Sequence, residues 1–127
     1  MLCGITARPP HPDIHKTALG AEDSVSWRYA TDSLEAVRQL REEGYQLLAL
    51  EQAHGSQSLE TFVTRPEGRY ALILGNEVRG VRDEVMAEVT TSLEIPQLGT
   101  KHSLNVSVAA GIALWQLVLP LLPTLKR

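Results

Sequence analysis

The chain contains a single cysteine, Cys3, in 127 residues, so it closes no internal disulfide and offers no cysteine pair for zinc. That scarcity predicts a reducing cytoplasm. Basic charge is not in excess: 12 Lys and Arg stand against 15 Asp and Glu, for a net charge of −3. This balance excludes binding nucleic acid by bulk charge alone and leaves room only for a local basic patch. A secretory leader is not legible, since "LCGITARPP" follows Met1 without a basic start or a long apolar stretch. His11, His15, His54 and His102 lack metal-ligand spacing, so no metal site is expected. A G-x-G-x-x-G motif is missing, and "GNEVRG" is followed by Val81 and Arg82 where a phosphate loop needs Lys and Ser or Thr. Nucleoside triphosphates and dinucleotides are thereby disfavoured. The apolar run over residues 104–119 is broken by Asn105, Ser107 and Gln116. It also falls short of the roughly 20 apolar residues that span a bilayer. It reads as a buried or interface helix.

What is present suits one folded domain over residues 1–127: 43% hydrophobic and 21% charged residues, with no internal repeat or low-complexity linker. "MLCGIT" reads as a strand and "ARPPHPDIHKTALGAE" as a proline-rich loop, with a turn of helix over residues 16–19 closed by Gly20. "SVSWRYA" reads as a strand over residues 24–30. Asp32 and Glu35 resemble a capping box; Leu34, Val37 and Leu40 share one helical face, and Gly44 closes that helix. "YQLLAL" is an apolar strand, "EQAHGSQS" a polar loop, and residues 59–63 a weaker segment. "RYALILG" is a strand, "GNEVRG" a loop, "VRDEVMAEV" a short helix and "SLEI" a strand. Strands alternating with helices, three of them almost wholly apolar, predict an α/β domain: a parallel sheet with helices on both faces.

Ligands in open α/β sheets bind beyond the carboxyl ends of strands. Three such ends carry distinctive loops: Leu50-Glu51-Gln52, Leu74-Gly75-Asn76-Glu77 and Ile95-Pro96-Gln97-Leu98-Gly99. Gly75, Gly80 and Gly99 permit close approach of a ligand to main chain. Beyond them "KHSLNVSVAAGIALW" opens a helix that is apolar nearly all round, a pattern of buried helices. Ser103 is placed to be its N-cap. That leaves Asn105, a weak helix former, in the first turn without a capping task. The helix's additional apolar face predicts contact with another subunit. Arg8, His11, His15 and Lys16 form a small basic cluster near the N-terminus.

"LILGNEVRG…IPQLGTKHSLNVSVAAGIALW" closely resembles the two C-terminal signature motifs of the SpoU/TrmH family of RNA ribose 2′-O-methyltransferases, within the SPOUT superfamily. The shared features are the G-x-E-x-x-G loop, the Ile-Pro pair and S-L-N-x-S-x-A at the last helix, in the family's order and spacing. The resemblance implies a trefoil-knotted α/β fold at the C-terminus, a homodimer packed partly through the last helix, and S-adenosyl-L-methionine held among the knot loops. Carried over by position, the cofactor site takes in Leu50, Leu74, Gly75, Ile95, Leu98, Ser103 and Leu104. Main-chain contacts are implied at Leu50, Gly75, Ile95 and Leu104. Glu77 and Asn105 stand at polar motif positions of the active site and are its catalytic candidates. The family's first motif, an Asn and an Arg on a strand and helix upstream of "MLCGIT", has no counterpart, so the domain reads as N-terminally shortened.

The expected activity is therefore methyl transfer from S-adenosyl-L-methionine to a ribose 2′-hydroxyl of tRNA or rRNA. RNA contacts are expected at Arg8, His15, Lys16 and Lys101, with contributions from a second subunit. The alternative is a non-catalytic module of the same family that binds cofactor or RNA, or only dimerises. A small flavodoxin-like ligand-binding domain is a third reading, and it requires an unknotted C-terminus.

Overall fold

A computed structural model describes residues 1–100 and 103–125. The chain forms two compact units, Met1–Gln39 and Leu40–Arg127.

In the first unit, β1 (Leu2–Cys3) pairs in parallel with β2 (Tyr29–Ala30), Leu2 opposite Tyr29 and Cys3 opposite Ala30. Two short helices lie between them, α1 (Pro12–Ala18) and α2 (Ala21–Ser24). The segment expected to be mainly loop is thus helical from Pro12 onward. Proline suits the first helical position, where its fixed φ is pre-set and its missing N–H is not needed. The preceding residue completes the start, the ring Nδ1 of His11 accepting the Asp13 N–H at 3.2 Å. Gly20, at φ +91°, follows the C-cap Leu19 of α1 and is at the same time the N-cap of α2. The strand expected over residues 24–30 shrinks to two residues, because β1 is itself only two residues long and provides no further ladder partners. At the start of the helix α3 (Ser33–Glu42), Asp32 Oδ1 accepts the Leu34 N–H at 3.2 Å, the Asp32 half of the expected capping box.

The second unit is built on β3 (Gln46–Leu50), β4 (Gln57–Ser58), β5 (Tyr70–Ile73) and β6 (Thr91–Glu94), an all-parallel sheet in the order β4-β6-β3-β5. The α/β reading with a parallel sheet therefore holds. The polar segment 51–58, expected to be loop throughout, ends in the edge strand β4, too short to show alternation. Leu47, Leu48 and Ala49 of central β3 are fully buried, which is why this strand reads as a continuous apolar run. Leu48 and Leu93 pack with Leu59, from the 3₁₀ turn Leu59–Thr61, and with Ala113 and Leu117 of the helix α5 (Val106–Val118). Burying each such leucine contributes about 1.5–3 kcal/mol. The short helix α4 (Asp83–Met86) bridges β5 and β6, with Val85 buried, and Arg41 pairs with Glu88 just beyond it.

The helix α5 is covered on one side only. Only Ala113 and Leu117 are buried, whereas Val108, Ile112, Leu114 and Trp115 are exposed in the single chain. By length and composition the run Val106–Thr124 could cross a membrane, yet Ala113 and Leu117 are committed to the sheet core.

Candidate functional site

β5 and β6 follow one another in sequence but flank β3 on opposite sides, so the chain crosses over the sheet between them. In α/β sheets the loops part at such a reversal and leave a crevice at the carboxyl edge. The ends of β3, β5 and β6, at Leu50, Ile73 and Glu94, stand side by side at that edge. Leu50 and Ile95 both pack against the core cluster, which fixes the floor of the crevice.

Glu51, the first residue beyond β3, joins these ends. Its N–H donates to the Leu93 carbonyl at 3.0 Å, and its own carbonyl accepts from the Ser92 hydroxyl at 3.0 Å. The Ser56 hydroxyl lies 3.1 Å from the same carbonyl and 3.0 Å from Ser92 Oγ, and it accepts the Ala53 N–H at 2.9 Å. The turn 51–56 is therefore pinned onto β6. From the other end of the residue, the Glu51 carboxylate accepts the Val81 N–H at 3.0 Å.

That N–H ends the turn after β5. Asn76 and Gly80 face each other across it, Gly80 N–H to Asn76 O at 2.8 Å and Asn76 N–H to Gly80 O at 3.2 Å. Asn76 Oδ1 also accepts from Val78 and Arg79 N–H, at 2.8 and 3.3 Å. A side chain at Gly75 would collide with the Gly80–Val81 main chain, and one at Gly80 with the Glu51 carboxylate. Gly80 also sits at φ +66°, where glycine is favoured. Glu77 is exposed at the tip of this turn, and Leu74 is largely exposed at its base.

Between the turns after β3 and β6 lies a recess of about 580 Å³. Its walls mix apolar Ile95, Pro96 and Leu98 with polar Gln52, His54, Glu94 and Gln97. The size falls within the roughly 300–1,000 Å³ of small-molecule sites. Ser58, opposite Glu94 in the β4–β6 register, carries a buried hydroxyl without a hydrogen-bond partner. Gln52 stands in one of the strand-end loops marked by the sequence, whereas His54 and Glu94 went unmarked, because nothing local distinguishes them from an ordinary polar loop and strand.

Ser103, Leu104 and Asn105 are exposed and lead into α5. The N-cap is Asn105, not Ser103: its Oδ1 accepts the N–H groups of Ser107 and Val108 at 2.9 and 3.4 Å. The reason is register, since the first helical turn begins at Val106 and its free amides fall within reach of residue 105. Asn105 therefore has a structural task that had been assigned two residues earlier.

The basic candidates Arg8, His15 and Lys16 belong to the first unit. The Arg8 guanidinium stacks 4.0 Å from the centre of the Tyr29 ring. His15 Nδ1 meets Glu22 Oε1 at 2.7 Å, and the Glu22 carboxyl is held below its usual range by its own backbone amide first and by His15 second. Lys16 is exposed in the last turn of α1. Lys101 and His102 lie outside the described residues. Among the described residues no three His, Cys, Asp or Glu side chains gather as metal ligands.

A parallel α/β sheet with a mixed recess at its carboxyl edge is the architecture in which α/β domains hold small molecules. Residues 2–115 match the sequence profile of the SpoU rRNA Methylase family, and the chain belongs to that family. It is 34% identical over 106 residues to a tRNA (guanosine(18)-2'-O)-methyltransferase of Thermus thermophilus, covering 83% of this chain and 53% of the relative. It is 33% identical over 103 residues to the 23S rRNA (guanosine-2'-O-)-methyltransferase RlmB of Escherichia coli, covering 81% and 41%. The fold superposes with a TM-score of 0.81 and 28% identity on the AdoMet-bound rRNA methyltransferase from Sinorhizobium meliloti, covering 91% of this chain and 43% of that one. The chain thus spans about half the length of these relatives.

Proposed function

We propose that this chain is an S-adenosyl-L-methionine-dependent RNA ribose 2′-O-methyltransferase domain acting on tRNA or rRNA in the cytoplasm. The observation that carries the reading is the juxtaposition of the three strand-end turns, joined through Glu51, in a chain of the SpoU family. The recess fits the cofactor's chemistry. Apolar Ile95, Pro96 and Leu98 suit a flat heterocycle, Gln52 and Gln97 offer hydrogen bonds, and the Glu94 carboxylate has the right sign for a sulfonium.

In this reading the main chain at Leu50, Gly75, Ile95 and Leu104 holds the cofactor, with Leu74, Leu98 and Ser103 completing its surroundings. When bound, that cofactor supplies an electrophilic methyl group for a ribose 2′-hydroxyl. Glu77 and the amide NH₂ of Asn105 orient and polarise the reacting groups, so the protein contributes chiefly positioning. Arg8, His15, Lys16 and Lys101 hold RNA phosphates. The C-terminal segment forms a trefoil knot, with helices on both faces of the sheet, and two copies pair through the exposed apolar side of α5.

Incubation with labelled S-adenosyl-L-methionine and total tRNA and rRNA tests this directly. Label recovered in 2′-O-methylated nucleosides is the expected result. Binding of S-adenosylhomocysteine without any transfer leaves a cofactor-binding module, and absence of both overturns the reading.

A further inference from the structure

We propose that Glu51 is a positioning residue of the methyl-transfer site, tying the turn after β5 to the end of β3; this role rests on the cofactor reading above. The hydrogen bonds of that turn include two kinds. Bonds between Asn76 and Gly80, and from Asn76 Oδ1 to Val78 and Arg79, lie wholly within it and set its shape. They do nothing to set its place relative to β3 and β6. The Glu51–Val81 bond does, because Glu51 is anchored at its root by Leu93 and Ser92 of β6. Its side chain acts as a strut from one strand end to the neighbouring turn. A carboxylate suits this task, being an acceptor only and making a charge-assisted bond to an amide. Gly80 is the complementary feature, since any side chain there would occupy the space of the Glu51 carboxylate.

Losing the strut leaves the turn folded but free to shift, so Gly75 and Glu77 no longer keep a fixed position relative to the ends of β3 and β6. The effect is on affinity and geometry rather than on the folded core, whose buried residues do not include Glu51.

The experiment titrates S-adenosylhomocysteine calorimetrically into the full chain and its Glu51→Ala, Glu51→Gln and Gly80→Ala variants. Amide hydrogen exchange over residues 75–81 is followed without ligand. Glu51→Ala is expected to bind about tenfold more weakly and to exchange faster in that segment. Glu51→Gln keeps an oxygen for the Val81 N–H and is expected to bind within about threefold of wild type. Gly80→Ala should weaken binding at least as much as Glu51→Ala, because it crowds the same carboxylate and also strains the backbone at φ +66°. Wild-type affinity in Glu51→Ala overturns the role of Glu51 alone, whatever Gly80→Ala shows. A lower melting temperature in Glu51→Ala with affinity and segment exchange unchanged overturns it equally, marking a structural residue. No heat from the wild-type chain instead overturns the cofactor reading, and Glu51's role with it.

Discussion

Asn105 commits its Oδ1 to two helix amides, which leaves its NH₂ as the group it can offer a ligand. Substitution can part these two roles. Asn105→Ala removes the cap and is expected to destabilise the chain by about 1 kcal/mol in urea unfolding. Asn105→Asp keeps an N-cap oxygen and adds a favourable charge at a helix N-terminus, so its stability should match or exceed wild type. If the amide protons serve the reaction, Asn105→Asp nevertheless loses methyl transfer. Full transfer activity in that variant would reduce Asn105 to a cap. The sequence could not decide between Ser103 and Asn105, since both residue types cap well and only two positions separate them. Glu51 was harder to see. Its partner Val81 lies 30 residues away, and no pattern in the chain announces that pairing.

Elements are joined in this protein by single polar side chains at their ends. Thr64, in the loop before β5, is only 3% exposed, and its hydroxyl donates to the Leu117 carbonyl at 2.6 Å. Leu117 lies in the last turn of α5, where carbonyls run out of intrahelical donors. Thr64 thereby caps the helix from a distant loop. Thr64→Val keeps the shape but strips that carbonyl of its donor, and is expected to cost about 1–3 kcal/mol. Thr64→Ser should recover most of the loss. The measurement is the urea midpoint at constant m-value, and an unchanged midpoint in Thr64→Val would remove the cap from the account. The two-residue strands β1, β2 and β4 belong to the same scale. They exist because a partner lies alongside, so their own residues carry little signal of them.

For the molecule as a whole, the apolar side of α5 is the feature that a single chain leaves unresolved. Ile112 and Trp115 are 42% and 63% exposed, and with Leu59, Ile95 and Pro96 they border a recess of about 490 Å³. A 13-residue helix of this composition, with two buried residues, exposes an apolar face of the kind that marks an association surface. The proposed homodimer covers it. Sedimentation velocity should then find a dimer in the wild type. Ile112→Glu combined with Trp115→Glu should weaken it by about 30-fold or more, as for loss of an interface hot spot. A wild-type chain that stays monomeric at every concentration would refute the dimer. The melting temperature of the monomer should change little, because neither side chain is buried in the single chain.

Much of the fold was readable because its causes are local or repetitive. A central strand is apolar wherever both its faces are buried, and Leu47, Leu48 and Ala49 within "YQLLAL" are the residues so placed. Glycine turns and the Ile-Pro pair marked the strand ends, and their order carried the family. Tertiary structure alone decided which residues those turns bring into contact. It set Glu51 beneath Gly80, Ser56 beside Ser92, and Thr64 under the end of α5. It also left most of α5 uncovered in the single chain, where the all-round apolar pattern had left burial and an interface both open. Periodicity reports how apolar a face is, whereas what covers that face depends on elements distant in sequence or on another chain.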